Sequence, residues 1–233
     1  MVVRCSLFAC AVLLLSANTQ SASLDKGVDA YLLKRPSVAI SNWMPLAKRG
    51  DPKAQNNVGL LYQKGEAVPK NNQKAIEWYR KAVGQGLPEA HHNLGLLLYD
   101  QDPLSVSEEV ISLFSYASKR NVSASTYMLG LIHYHGQSMQ KDLALASKFW
   151  EIAAKEGNLE AQFMLAMLHQ SGDLGPPRYD LAFIWSKIAT DNGYQIASEL
   201  NFFSTLKLAT DSLPRLTAIA DVCRSSRYTD CPD

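Results

Sequence analysis

One recurrence constrains this chain more than any other feature: a helix-sized pattern of small and aromatic residues returns every 35 or 36 positions through its middle. Missing such a repeat would misread the whole fold. The stretches 74–82, 145–153 and 181–189 each carry an alanine, an aromatic three or four residues on, a second alanine, and then Gly86, Gly157 or Gly193. Spacings of three, four and seven place these residues on one helical face. The glycine suits the left-handed backbone just past a helix end. A second pattern precedes each first one, led by Ala54, Ala90, Ser125 and Ala161, with a small residue at Gly59, Gly95, Gly130 and Ala166. The leading residues lie 36 apart (54 to 90), then 35 (90 to 125), then 36 (125 to 161). The small residue lets two helices approach closely, and Gly65, Gly136 and Gly172 stop the first helix. Each unit is therefore helix, turn, helix, and the chain is all-α.

The second unit departs from the others. It has Gln101 where a helix-ending glycine is expected, and its loop is one residue shorter. Its second helix is expected over about Glu108 to Arg120, with Val110, Phe114 and Ala117 in register and Asn121 in the closing position, a residue that tolerates the left-handed backbone. Ser105 and Glu108 read as a capping box. Before the array, Leu24–Lys34 and Pro36–Arg49 read as a divergent helix pair in which Ala39, Trp43, Ala47 and Gly50 keep the second-helix pattern. After it, Ala197–Ala209 and Asp211 to about Ser225 read as two helices, with Pro214 tolerated in the first turn of the second. The organisation expected is a signal segment at 1–23, a capping pair at 24–52, four repeats (about 53–88, 89–123, 124–159 and 160–195) and a C-terminal cap with a tail at 196–233.

The run Ala54-x-x-x-Val58-Gly59-x-x-Tyr62-x-x-Gly65-x-Ala67-Val68-x-x-Asn71-x-x-Lys74-Ala75-x-x-Trp78-Tyr79-x-Lys81-Ala82 resembles the Sel-1-like repeat, a cousin of the tetratricopeptide repeat. The likeness is close in the first unit, good in the third and fourth, and loose in the second. It implies a right-handed α/α solenoid and protein–protein scaffolding, often in exported bacterial proteins. It also implies that the first helices line the concave side. Residues two after each leading Ala or Ser then face the groove: Asn56, His92, Tyr127 and Phe163. So do those four after each small residue: Gln63, Tyr99, Tyr134 and Gln170. A third set, one before the leading residue, is Lys53, Glu89, Ala124 and Glu160. The groove reads polar at its ends and aromatic in its middle, and aromatics are enriched at interface hot spots. The competing expectation is that half of these side chains pack on a neighbouring turn, since one residue of register error rotates a side chain by about 100°. Trp78, Tyr79, Leu113, Phe114, Phe149, Trp150 and Trp185 are expected mostly in the core.

The N-terminus reads as a cleaved secretory signal: Arg4, an apolar run from about Cys5 to Leu15, then small polar residues with cleavage after Ala22 or Ser23. That run is shorter than the ~20 residues a permanent spanning helix needs, so a secreted or periplasmic protein without stable membrane insertion is expected. Removing 1–23 lowers Lys+Arg from 23 to 22 against 22 Asp+Glu. A formally neutral chain lacks the basic excess of a nucleic-acid binder. Cys223 and Cys231 remain, and in an oxidising compartment the pair reads as one disulfide pinning a tail rather than two free thiols.

Chemistry is sparse. His91-His92 and His133-x-His135 bring no carboxylate or thiolate at ligand spacing, so neither a metal nor any other cofactor is expected. His133 and His169 stand where the first unit has Tyr62, which favours packing. Some cysteine-rich exported members of the family are assigned penicillin-binding or β-lactamase activity, but they carry a cysteine pair in each repeat and this chain has none there. Ser204-x-x-Lys207 matches one serine-enzyme motif without its companions, since Thr190-Asp191-Asn192 precedes it and no Lys-Thr-Gly follows. Asn121-Val122-Ser123 is a formal glycosylation acceptor, without meaning if the source is bacterial. The expectation is an exported, non-enzymatic scaffold holding a protein or peptide partner. The alternative is a cell-wall factor with weak penicillin-binding or hydrolase activity.

Overall fold

A computed structural model describes residues 24–137 and 140–232. The signal segment at 1–23, with Arg4, Cys5 and Cys10, lies outside the described residues. The described residues fold into α-helices joined by short loops. They are α1 (24–32), α2 (Pro36–Lys48), α3 (Pro52–Lys64), α4 (Asn72–Val83), α5 (Pro88–Gln101), α6 (Glu108–Ser118), α7 (Ser123–His135), α8 (Leu143–Lys155), α9 (Leu159–Ser171), α10 (Tyr179–Asp191), α11 (Ala197–Lys207) and α12 (Leu213–Ser225), with a 3-10 turn at Thr210–Ser212. This is the α/α solenoid class. None of the described helices is long and apolar enough to cross a membrane.

Local chemistry sets the boundaries. Asp51, Asn71, Asp142 and Asn158 each cap a helix start by accepting the backbone N–H three residues on, at 2.7–2.9 Å. α6 starts under Ser107, whose Oγ accepts from the Val110 N–H, so the expected box of Ser105 and Glu108 is not what caps it. The Ser105 N–H is instead held by the Asp102 carboxylate at 3.1 Å, and the chain enters the helix two residues later. Gly65, Gly136 and Gly172 end the first helices at φ of +75°, +69° and +77°. Asn121 adopts φ +63° in the closing position of the second repeat, as its side chain allows. The loops repeat in detail: the N–H of Asn71, Asp142 and Arg178 donates to the carbonyl of Tyr62, His133 and His169 respectively, at 2.8–2.9 Å.

The chain divides into two compact units, 24–97 and 98–232 among the described residues. In the first, Ala39, Trp43, Leu46, Ala47, Ala54, Val58 and Leu61 form the core. In the second, Trp150, Leu165, Leu168, Ile184, Trp185, Ile188, Leu216 and Cys223 do so. Close approach explains the small residues. A Cβ on Gly59 would lie 2.8 Å from two ring carbons of the buried Tyr79, and one on Gly130 would lie 2.9 Å from Trp150 Cε2. Gly27 meets Trp43 in the same way. Trp43 Nε1 donates to the Leu24 carbonyl and Trp150 Nε1 to the Tyr127 carbonyl, both at 3.2 Å. The pair α1–α2 is therefore built like a repeat. Tyr79, Leu113, Phe114, Trp150 and Trp185 are buried, whereas Trp78 and Phe149 are half-buried. Those two sit one residue before the core aromatic, at the rim, where Lys81 covers Trp78 and His133 stacks on Phe149. Cys223 and Cys231 form the disulfide, fixing a tail whose Tyr228 hydroxyl accepts from Asn192 Nδ2 at 2.8 Å.

Candidate partner-binding face

The eight residues picked out on the first helices divide by what they touch. In the first unit, Asn56 is buried, accepts from Asn93 Nδ2 at 2.8 Å, and shares a recess of about 310 Å³ with Lys53 and Glu89. Gln63 accepts the Tyr79 hydroxyl proton at 2.7 Å, so its amide serves its own repeat. Burial depresses the basicity of His92, which is half-buried. In the second unit, Gln170 accepts from the buried Ser204 hydroxyl at 3.0 Å. Tyr134 packs against Trp150 at 5.4 Å between centroids, has His135 at its edge, and carries Lys141 Nζ over its ring at 4.9 Å. Both ends of the second set, and Tyr134, are thus occupied from within.

Tyr99, Tyr127 and Phe163 differ. All three are half-buried. Tyr127 on α7 and Phe163 on α9 hold the same position one repeat apart, and Glu160 lies one helical turn before Phe163. Tyr194, in the loop after α10, packs on Phe163 with centroids 5.6 Å apart and planes tilted 55°. Burial pushes the Tyr127 phenol up to about 12, with further contributions from the Glu160 carboxylate, Tyr194 and Tyr99, so these groups share one neighbourhood. Tyr99 exchanges hydrogen bonds with the Gln137 amide at 3.0–3.2 Å. The Tyr127 and Tyr194 hydroxyls and the Glu160 carboxylate have no hydrogen-bond or ion-pair partner among the described residues. The sequence reading missed Tyr194. Its one signal is its place directly after a closing glycine, where Leu87 follows Gly86 and Asn158 follows Gly157.

Elsewhere the chemistry is structural. Among the described residues no group of three or more His, Cys, Asp and Glu side chains is arranged to hold a metal ion. Ser204 Oγ is buried and committed to Gln170, while Lys207 is exposed. Arg224, Asp191 and Lys187 form a small ion cluster at the C-terminal end, with contacts of 2.9 and 3.2 Å.

Comparison with known proteins agrees with this architecture. The Sel1 repeat model matches residues 52–87, 123–158 and 159–194. The mouse protein "DAP3-binding cell death enhancer 1" is 30% identical over 231 residues, covering 81% of this chain and 43% of the relative. The yeast "Activator of C kinase protein 1" is 30% identical over 153 residues, 57% of this chain and 25% of the relative. The chain thus spans less than half the length of these curated relatives. Among solved structures, a Sel1 repeat protein from Oxalobacter formigenes aligns with TM-score 0.70 at 26% identity, over 78% of this chain and 74% of that one. A protective antigen of uropathogenic Escherichia coli with an SLR fold aligns with TM-score 0.80 at 24% identity, over 90% of this chain and 47% of that one, a likeness of fold. With three of its repeats matched in sequence and the helix pairs matched in structure, the chain belongs to the Sel1-repeat proteins.

Proposed function

We propose that this protein is an exported scaffold that holds a partner protein or peptide on the first-helix face of its second unit. Sel1-repeat proteins are generally protein-interaction scaffolds rather than enzymes. The observation that carries the reading here is the aromatic strip Tyr99, Tyr127, Phe163 and Tyr194, half-buried and edged by Glu160, with two tyrosine hydroxyls unbonded within the described residues. Half-buried tyrosines offer a large contact area at low entropy cost together with a polar handle, as binding hot spots do. The burial of Ser204 under Gln170 gives the hydrolase alternative no exposed nucleophile at that motif. Export is supported by the apolar N-terminal segment and by the Cys223–Cys231 disulfide, a bond favoured in oxidising compartments.

The test is affinity capture from the source cells' envelope and culture fractions, using wild type beside a Tyr99→Ala/Tyr127→Ala/Tyr194→Ala variant. A protein recovered by wild type and lost with the folded variant supports the reading. Equal recovery by both removes the site from this face. N-terminal sequencing of the exported form should begin just after Ala22 or Ser23, and a start at Met1 would refute cleavage.

A further inference from the structure

Five of this chain's partly exposed aromatic rings carry a cation of the chain's own. Lys64 lies over Tyr31, Lys74 over Tyr62, Lys81 over Trp78, Arg120 over Tyr116 and Lys141 over Tyr134, between 3.5 and 5.5 Å from the ring centroids. The face of an aromatic ring is the negative lobe of its quadrupole, and a lysine or arginine there gains from it. The strip in the second unit, like Phe149, Tyr179 and the exposed Phe202 and Phe203, is not among them. No lysine or arginine of the described residues lies over Tyr99, Tyr127, Phe163 or Tyr194. What stands beside these rings is a carboxylate, Glu160, exposed and without an ion-pair partner among the described residues. Ring faces and a carboxylate together make a negative, partly apolar surface with no lysine or arginine over its rings.

Resting on the reading of this face as the partner site, we infer that the partner brings the cation: the strip takes an extended polypeptide segment that presents an arginine or lysine between the Tyr127 and Tyr194 rings, its head on the Glu160 carboxylate. The arrangement favours arginine. A planar guanidinium stacks on a ring and pairs with a carboxylate at once, whereas an ammonium is a more strongly hydrated point charge. The unbonded tyrosine hydroxyls remain for the segment's backbone.

The probes are fluorescein-labelled, end-blocked Gly/Ser decapeptides bearing two Arg, two Lys, two Gln or two Glu residues, titrated by polarisation against the full chain and its Glu160→Gln variant. Wild type should bind the Arg peptide about five- to tenfold more tightly than the Gln peptide, with Lys between and Glu weakest. Glu160→Gln should remove most of that preference, and raising salt from about 0.05 to about 0.5 M should do likewise. Equal binding of all four peptides, a preference untouched by Glu160→Gln, or no saturable binding of the Arg peptide overturns the inference. The capture experiment separates this from the broader reading. A partner lost with the triple alanine variant but kept by Glu160→Gln means the face is used and the charge inference is wrong. A partner kept by both means neither stands.

Discussion

Gly59→Ala tests the reason given for the small residue in each first helix. A methyl group at this position would sit 2.8 Å from Tyr79 Cδ1 and Cε1 and 3.3 Å from the Ala75 carbonyl oxygen, against 3.4–4 Å for ordinary contact. The ring must therefore move by about 0.6 Å or more, a shift of the kind that overpacked cores resist. It has little room, because Tyr79 is fully buried and its hydroxyl is tied to Gln63 at 2.7 Å. Overpacking of this kind costs about 1–3 kcal/mol, and the anchored ring places Gly59→Ala near the upper end. Replacing glycine by alanine inside a helix returns about 1 kcal/mol, leaving a net loss of about 2 kcal/mol. The decisive comparison is the same change in a Tyr79→Ala background. That background is itself costly, by about 3–5 kcal/mol, but it removes the obstacle, so Gly59→Ala should then stabilise by about 1 kcal/mol. The fourth repeat already carries such a combination, Ala166 with Ser186 in the register of Gly59 with Tyr79. Urea unfolding followed by far-UV circular dichroism on the four proteins of the cycle measures a coupling of about 3 kcal/mol on these figures. A Gly59→Ala protein as stable as wild type, or the same sign of effect in both backgrounds, would refute the packing argument.

Three further outcomes are expected. Reduction of Cys223–Cys231, which closes a loop with a sequence separation of 8, should lower stability by about 2–3 kcal/mol, read as an earlier urea midpoint with dithiothreitol than without. Asn158→Ala removes the oxygen that accepts from the Ala161 N–H at 2.7 Å and should cost about 1 kcal/mol, whereas Asn158→Asp should cost little; equal losses in both would count against the cap. Burial lowers the pKa of His92 and, with Arg178 adding, of His169. The unfolded chain then takes up these protons first, so stability is full above pH of about 6.5 and falls as pH drops through the window down to the lowered folded values. A His92→Gln/His169→Gln variant should show a flatter dependence of Tm on pH between about 7 and 5, and an unchanged slope would refute the assignment.

The helix pairs were legible because their signals are local and periodic: a small residue, an aromatic about 20 residues later, and a glycine at most helix ends. The leading pair hid half of itself. Gly27 and Trp43 make the same contact as Gly130 and Trp150, but they stand 16 apart rather than 20 because the loop between α1 and α2 is shorter. The start of α6 was misplaced for a different reason. Asp102 and Ser107 compete to organise one short loop, and propensity alone does not say which serine ends up as the cap. The face was legible only in part. Helical periodicity puts Tyr127 and Phe163 on one side, but it cannot tell that Gln63 and Gln170 spend their amides inside the protein or that Lys141 lies on Tyr134. Tyr194 joins the strip through a contact between residues 31 positions apart, Phe163 and Tyr194, and no local pattern carries that information.

The end of the array shows how a repeat sequence stops itself. Ala197 lies 36 residues after Ala161 and still leads a first helix. The positions that should follow are changed in kind: Asn201 stands where Leu165 does, Phe202 where Ala166 does, and Ser204 where Leu168 does. A phenylalanine at the small position bars the close approach a partner helix needs. The two buried apolar positions have become polar and are satisfied from the preceding repeat: Asn201 Nδ2 donates to the Phe183 carbonyl at 3.0 Å and to Ser186 Oγ at 3.1 Å, and Ser204 donates to Gln170. The two positions that would pack on a further helix pair are thus polar and already bonded, while Ile196, Phe202, Phe203 and Leu206 stay exposed around them. α12 packs instead against α10, putting Leu216, Ala220 and Cys223 into the existing core, and its tail brings Tyr228 onto Asn192. That contact has a cost elsewhere. In the first repeat the equivalent residue, Gln85, donates to Gln55 Oε1 at 2.8 Å. In the fourth, with Asn192 turned to the tail, Gln162 keeps its bond to the Ala154 carbonyl at 3.2 Å, but its buried Oε1 has no partner among the described residues. The cap is therefore built by diverting a hydrogen bond from the repeat to the tail, and the disulfide that holds the tail in place favours that exchange.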